Sequence, residues 1–298
     1  MIPLINSFRY ASGGASWSTA DEKAMAAGGT SSPWSPSNTA QTYNGSSWSS
    51  ASSLPASRQL LDGGGNSDNY ISIGGDSSGT SNPQDDVYTW NGSSWSTAAT
   101  ISANTFMHSA GGNYTDAIWM GGSYSAYDTV QTFDGSSWST ESSLPDGTRG
   151  HQGDGKSTNA WSCGGYDGSN NLTGFWNWNG SSWSTSDAFN GSNGDPYGYG
   201  GGAGLVGSVI MQTNQKSVSN LYKHNGSSWA LTGNSVKTAV NYSALGGDSG
   251  NCIKGGGSSD GGAGWANTGS ETYDGTSWSS TGNLNTGLSG MGMGGNGV

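Results

Sequence analysis

The residues of this chain whose types and spacing come closest to chemistry are His108 and His151. Each stands 13 residues after a tryptophan of a recurring word, so the two imidazoles occupy equivalent points of adjacent repeats, an arrangement that could ligate copper. The same offset is filled by Leu61, Tyr242 and Met291 in other repeats. That marks it as a packing position, and no metal is expected. Asp62, Asp76, Asp85 and Asp86 fall in one repeat and could be considered for weak Ca²⁺ binding, but carboxylates in solvated loops account for them without an ion. Asn44, Asn91, Asn179 and Asn225 satisfy the acceptor pattern for N-glycosylation, yet each is read as a turn residue and modification is not expected. Cys163 and Cys252 lie two repeats apart, too far for a disulfide, and read as buried thiols. No Ser-His-Asp, Cys-His or phosphate-loop constellation is evident. The chain is therefore expected to be no enzyme and to need no cofactor.

Composition narrows the partners. Nine basic against twenty acidic residues give a formal charge of -11, with no basic run to neutralise phosphates, so nucleic acid is not expected as a ligand. No stretch is apolar and long enough to cross a bilayer, and no membrane contact is expected. The N-terminus carries neither a charged n-region nor an apolar h-region, which points to synthesis in a host cytoplasm without a signal peptide. Only 31% of residues are hydrophobic and 54 are glycine, a balance that leans towards disorder. Against that stand 14 Trp, 13 Tyr and 5 Phe, which must form the core.

The elements that position these residues follow from one word, an aromatic followed by Asn/Asp-Gly-Ser/Thr-Ser-Trp, repeated six times. Its copies run from Tyr43 to Trp48, Trp90 to Trp95, Phe133 to Trp138, Trp178 to Trp183, His224 to Trp229 and Tyr273 to Trp278, with His224 standing as a packed imidazole in the aromatic's place. Successive tryptophans are 47, 43, 45, 46 and 49 residues apart, the period of a four-stranded propeller blade. Asn-Gly predicts a two-residue type I′ hairpin, with Tyr43 facing Ser46 and lying diagonal to Trp48 on one face of the sheet. If each word tryptophan buries about 200 Å², it contributes at most roughly 5 kcal/mol before entropy is subtracted.

Short apolar runs ending in Gly-Gly precede the words: Met25 to Gly29, Tyr70 to Gly75, Ile118 to Gly122, Trp161 to Gly165 and Cys252 to Gly256. The fifth repeat instead carries Val209-Ile210-Met211. After each word comes a glycine-rich strand: Leu60 to Gly65, Phe106 to Gly112, Gly150 to Gly155, Tyr197 to Gly202, Tyr242 to Gly247 and Leu288 to Gly295. Glycine inside strands marks close backbone approach, as at a crowded axis. The last of these strands has no sheet of its own and completes the first blade, which removes two sheet edges. The expected architecture is all-β: a six-bladed β-propeller of four-stranded antiparallel blades over residues 17–298. It is preceded by an N-terminal arm, residues 1–16, whose Ile2, Leu4, Ile5, Phe8 and Tyr10 need cover and could serve assembly.

These features resemble a kelch-type β-propeller, with Gly-Gly after the second strand, an aromatic on the third and Trp on the fourth. The resemblance spans nearly the whole chain. The sialidase Asp box needs one residue between Asp and Gly, whereas Asp134-Gly135 and Asp274-Gly275 are adjacent, and a carboxylate clamp from Arg9, Arg58 and Arg149 would have to recruit the arm. The Ser/Thr/Asn/Gly-rich composition further resembles virion structural proteins of tailed bacteriophages. It implies a tail-fibre, baseplate or capsid-decoration component on the virion, partnered by other virion proteins or by itself through the arm. The alternative is a lectin-like propeller for surface glycans, using aromatics outside the words such as Trp34, Tyr124, Tyr127, Trp176, Tyr197, Tyr199 and Trp265.

Overall fold

Every regular element is a strand, and no helix occurs among the described residues, which in this computed structural model are 23–32, 35–79, 81–123, 127–189, 201–213, 220–234, 242–258 and 266–295. The proposed arm residues Ile2, Leu4, Ile5, Phe8 and Tyr10 lie outside that set. The strands form six four-stranded antiparallel sheets, plus one small two-stranded hairpin. The inner strands, in blade order, are Gly292–Gly295, Asp62–Gly65, Ser109–Asn113, Gln152–Lys156, Gly202–Ala203 and Ala244–Asp248, each packed against the next around a closed ring. Blade 1 borrows its inner strand from the C-terminal end of the chain: Ala24 pairs with Gly295 and Ala27 with Gly292. The chain is a six-bladed propeller closed by its C-terminal strand.

The inner strands touch backbone to backbone. A β-carbon on Gly111 would lie 2.4 Å from the amide nitrogen of Gly155 in the next blade, and one on Gly294 would lie 2.1 Å from the Gly65 carbonyl oxygen. With the axis filled by main chain, apolar side chains collect between neighbouring blades. Ile71, Ile73 and Val87 of blade 2, for example, pack on Ala117, Trp119 and Phe133 of blade 3.

The word folds differently from the predicted two-residue hairpin. Tyr43 stands directly opposite Trp48, not diagonal to it, and the turn between them holds four residues. The reason is the asparagine side chain: Asn44 Oδ1 accepts the amides of Ser46 at 3.1 Å and Ser47 at 3.0 Å, satisfying donors that a tighter turn would have used in the ladder. Gly45 alone takes a positive φ, 94°. Asp134 fills the same role, and these bonds hold its carboxyl down at about 2. Direct opposition brings the two rings of each word together, with centroids 5.0 to 5.4 Å apart in all six, His224 included.

The word tryptophans also join blade to blade. Four of the six indoles donate to a carbonyl four residues past the preceding word: Trp95 to Ser52 at 2.7 Å, Trp138 to Ala99 at 2.8 Å, Trp183 to Ser142 at 3.1 Å and Trp229 to Asp187 at 3.3 Å. Across the closing seam the bond runs through a relay, Trp48 donating to Ser270 Oγ at 3.1 Å and Ser270 to the Gly282 carbonyl. Trp278 has no such acceptor among the described residues. Its counterpart position, Gly233, sits at a β-bulge where Leu221 pairs with Gly233 but Tyr222 with Leu231. Trp48 and Trp278 are buried, but the other four word tryptophans remain half-buried at the outer edge, so the burial expected of each is reached only in blades 1 and 6. Cys163 and Cys252 are buried and form no disulfide.

Replacing Ser270, 1% exposed, by alanine breaks the relay and strands a buried indole N–H. The expected cost is about 1–3 kcal/mol of unfolding free energy in chemical denaturation; an unchanged midpoint would show that the relay does not hold the ring closed.

Candidate functional site at the propeller mouth

The chain enters its inner strands through a turn with a repeated and unusual backbone. Leu60, Met107, Gly150, Tyr242 and Gly290 all take the left-handed conformation, with φ of 51°, 56°, 60°, 58° and 57°. Three of the five are bulky, and each such residue costs roughly 1–2 kcal/mol relative to right-handed geometry. Hydrogen bonds running around the axis hold them there. Gly290 N donates to the Tyr242 carbonyl at 2.9 Å, Leu60 N to Gly290 at 2.8 Å, Met107 N to Leu60 at 3.1 Å and Gly150 N to Met107 at 2.7 Å. Among the described residues the result is an open backbone hoop that joins blades 6, 1, 2, 3 and 4 at the mouth of the propeller, with the half-buried side chains of Leu60, Met107 and Tyr242 on its rim.

The residue after each hoop position is a wedge between blades. Leu61 covers Gly28, His151 places Cε1 2.8 Å from where a β-carbon of Gly121 would stand, and Met291 covers Gly256. His108 and His151 hold equivalent wedge positions in blades 3 and 4, as expected from the sequence. The equivalence expected of Tyr242 is off by one: Tyr242 matches Leu60 and Met107, and Ser243 matches the histidines, because the outer strand of blade 5 carries the extra bulge residue.

The hoop and wedges line an open cavity of about 100 Å³ at the mouth, above the packed inner strands. Both histidines line it, 5% exposed, and neither nitrogen of either ring has a hydrogen-bond partner among the described residues. Desolvation pushes both imidazoles down to about 3, the neighbouring ring of His151 adding to the fall at His108 and the nearby Ile73 carbonyl opposing it. Both are neutral at pH 7. Gln152 also lines the cavity. Its amide nitrogen donates to the Gln212 backbone carbonyl at 2.6 Å and leaves Oε1 unpartnered, while Ser243 donates to the side-chain Oε1 of Gln212 at 2.7 Å.

Asp62, expected in a solvated loop, opens the inner strand of blade 2 and faces this cavity. Its oxygens accept the amides of Gly63 at 2.8 Å and Ala110 at 2.9 Å, yet burial outweighs these bonds and raises the carboxyl to about 7. The other acids considered for calcium lie apart from it in role. Asp76 caps its own loop, accepting from Asn82 N at 2.7 Å and Gln59 Nε2 at 2.8 Å, and Asp86 pairs with Arg58. Among the described residues no group of three or more His, Cys, Asp or Glu could hold a metal ion. Of the aromatics outside the words, Trp176 donates to Asp146 Oδ2 at 3.1 Å and Tyr127 is half-buried; Trp34, Tyr124, Tyr197, Tyr199 and Trp265, like Arg9, lie outside the described residues. Sequence reasoning missed Gln152 and the left-handed trio. The only sequence signal for the trio is glycine at the matching positions Gly150 and Gly290.

These groups set opposing pH slopes. Each histidine titrates near 3 folded against 6.5 unfolded, so between those values the unfolded chain binds more protons and stability falls as pH falls, by up to ~1.4 kcal/mol per pH unit per group. Asp62 titrates near 7 folded against 3.8 unfolded, so the folded chain holds the extra proton and stability falls as pH rises through that window. Asp62→Asn should therefore steepen the climb of the urea midpoint between pH 4 and 6.5, and His151→Gln should flatten it. Superimposable profiles for both variants and the unaltered chain would refute the burial of these charges.

Compared with models of known protein families, and with curated proteins, the chain matches none.

Proposed function

We propose that this chain is a non-enzymatic structural and interaction protein, a rigid propeller carried on a bacteriophage particle as a tail-fibre, baseplate or capsid-decoration component. The observation that carries the reading is the bonding around the ring. Indole bonds tie five of the six seams at the outer edge, the hoop ties five blades at the mouth, and the C-terminal strand closes blade 1. Such a disc holds its faces fixed while its attachments vary, which suits a particle component better than a hinged catalyst. A net charge of -11 with only 10% charged residues supports it, since a hydroxyl- and amide-rich surface stays soluble at high local copy number. The apolar residues Ile2, Leu4, Ile5, Phe8 and Tyr10 supply the attachment to other virion proteins or to copies of the chain.

A second reading, recognition of surface glycans, is favoured by one observation: a cavity of about 100 Å³ at the mouth whose lining mixes Tyr242, Leu60 and Met107 with the polar residues Asp62, Gln152 and Ser243.

Light scattering of the full chain beside a version lacking residues 1–16 tests the first reading. An oligomer that becomes a folded monomer on truncation is the expected result. Monomers in both cases would remove the arm as an assembly device.

A further inference from the structure

The outer strands of the blades are built alike except in blade 5. In the other five blades this strand is three residues long, and its third residue is an exposed hydroxyl: Ser50, Thr97, Thr140, Thr185 and Ser280. Short, polar edges of this kind resist pairing with another chain. In blade 5 the outer strand is Trp229–Asn234, six residues, and its third residue is Leu231. Among the described residues Leu231 is the large apolar side chain that stands open to solvent, at 55% exposure.

The ladder decides which groups this edge presents. Asn225 N bonds to the Ser228 carbonyl at 3.4 Å beside the turn, so by the alternation of an antiparallel pair Ala230 bonds inward to Lys223, and the main-chain groups of Trp229 and Leu231 turn outward. Side chains two apart share a face. Leu231 therefore stands on the face of Trp229, whose ring packs against Phe175 and Phe189 with centroids 5.0 and 5.2 Å away. Edge and face together are a template for one more strand with apolar side chains at alternate positions.

The sequence before Lys23 contains such a segment. Ile2, Leu4, Phe8 and Tyr10 alternate with Pro3, Ile5, Ser7 and Arg9, the period of a strand with one apolar face, and Pro3, which has no N–H, confines the pairing stretch to residues 4–10. Seven residues suit a six-residue edge. Residues 1–20 carry Arg9 and no acid, whereas the chain as a whole stands at -11, so attraction favours the contact. Residues 11–22 span at most about 40 Å when extended. In its own molecule the segment would leave blade 1 and have to pass the whole of blade 6 before reaching this edge; another copy presents the edge without that obstacle. Direct pairing of two such edges would bury only a six-residue strip, short of the roughly 1,200 Å² at which stable interfaces begin.

We propose that residues 4–10 of one copy add as a fifth strand to the outer edge of blade 5 in another copy, with Phe8 and Tyr10 against Trp229 and Leu231. This rests on the reading of the arm as an assembly device and adds to it the surface that receives the arm. Each copy holds one arm and one such edge, so exchange between two copies closes a dimer.

The test is made on full-length chains by sedimentation velocity. The unaltered chain is expected to form a dimer. Leu231→Thr, which installs at this exposed position the residue type of the other blades, should weaken the dimer at least tenfold with the thermal midpoint unchanged, and Thr97→Asp at the equivalent point of blade 2 should leave it intact. Phe8→Cys and Leu231→Cys chains, mixed and oxidised, should give a disulfide between the two, the native Cys163 and Cys252 being buried. A dimer that persists with Leu231→Thr would overturn the blade 5 edge as the receiving surface while leaving the arm as an assembly device. A monomer whose Phe8→Cys, Leu231→Cys double variant cross-links within one chain would overturn exchange between copies, and a monomer with no cross-link would overturn docking on this edge altogether.

Discussion

Six inner strands converge on one axis so closely that a β-carbon has no room between them, and the rest of the molecule is arranged around that crowding. A β-carbon on Gly64 would stand 2.6 Å from Gly112 N, and one on Gly246 would stand 2.6 Å from the Gly294 carbonyl carbon. Main-chain contact at the centre leaves no axial hydrophobic core, so stability has to come from the seams between blades. The aromatic words serve that end: they place a packed ring pair on each outer hairpin and, in five of the six, aim the indole N–H across the seam. Asp154 shows how little tolerance the axis has. Its carboxyl reaches Gly155 N at 2.7 Å and Gly204 N at 2.8 Å, and lies against Gly111 in a space that alanine there would fill.

The mouth follows from the same geometry. Strands that start beside one another must be entered by turns that are also side by side, and there each left-handed turn offers its carbonyl to the next amide. The hoop makes the conformation cooperative at Gly290, Leu60 and Met107, where releasing one residue breaks bonds on both sides of it. Bulky residues can therefore occupy positions where an isolated turn would select glycine. Below the hoop the wedge side chains settle over glycines of the preceding blade, which is why imidazoles are accommodated there without partners for their nitrogens.

How much of this was legible depends on whether a feature repeats. The period, the glycine-rich inner strands and closure by the C-terminal strand were readable because six copies average out local noise. The word's turn was misjudged because Asn-Gly was weighed by its backbone preference, while the side-chain oxygen of Asn44 took over two amides and lengthened the loop. Asp62 read as a loop residue by type. In the structure it starts a strand, where the amides of Gly63 and Ala110 await an acceptor. A single extra residue in blade 5 shifted Tyr242 out of the position assigned to it, since offsets counted along a chain cannot register a bulge. Positive φ at Leu60 and Met107 has no signature in residue type at all, because those residues ordinarily avoid it.

The unmatched indole of Trp278 gives the disc a grain. Five of the six seams carry an indole bond; at the seam between blades 5 and 6 the indole of Trp278 has no acceptor among the described residues, and the blades are bridged instead by Lys223 Nζ donating to the Gly275 carbonyl at 3.5 Å and by the Ser208 and Ser249 hydroxyls at 3.1 Å. That seam is mortared where the others are stitched: Trp278, buried unlike most of its counterparts, packs with Ile210, Leu221, Leu245 and Tyr273 across it, so apolar contact stands there in place of the indole bond.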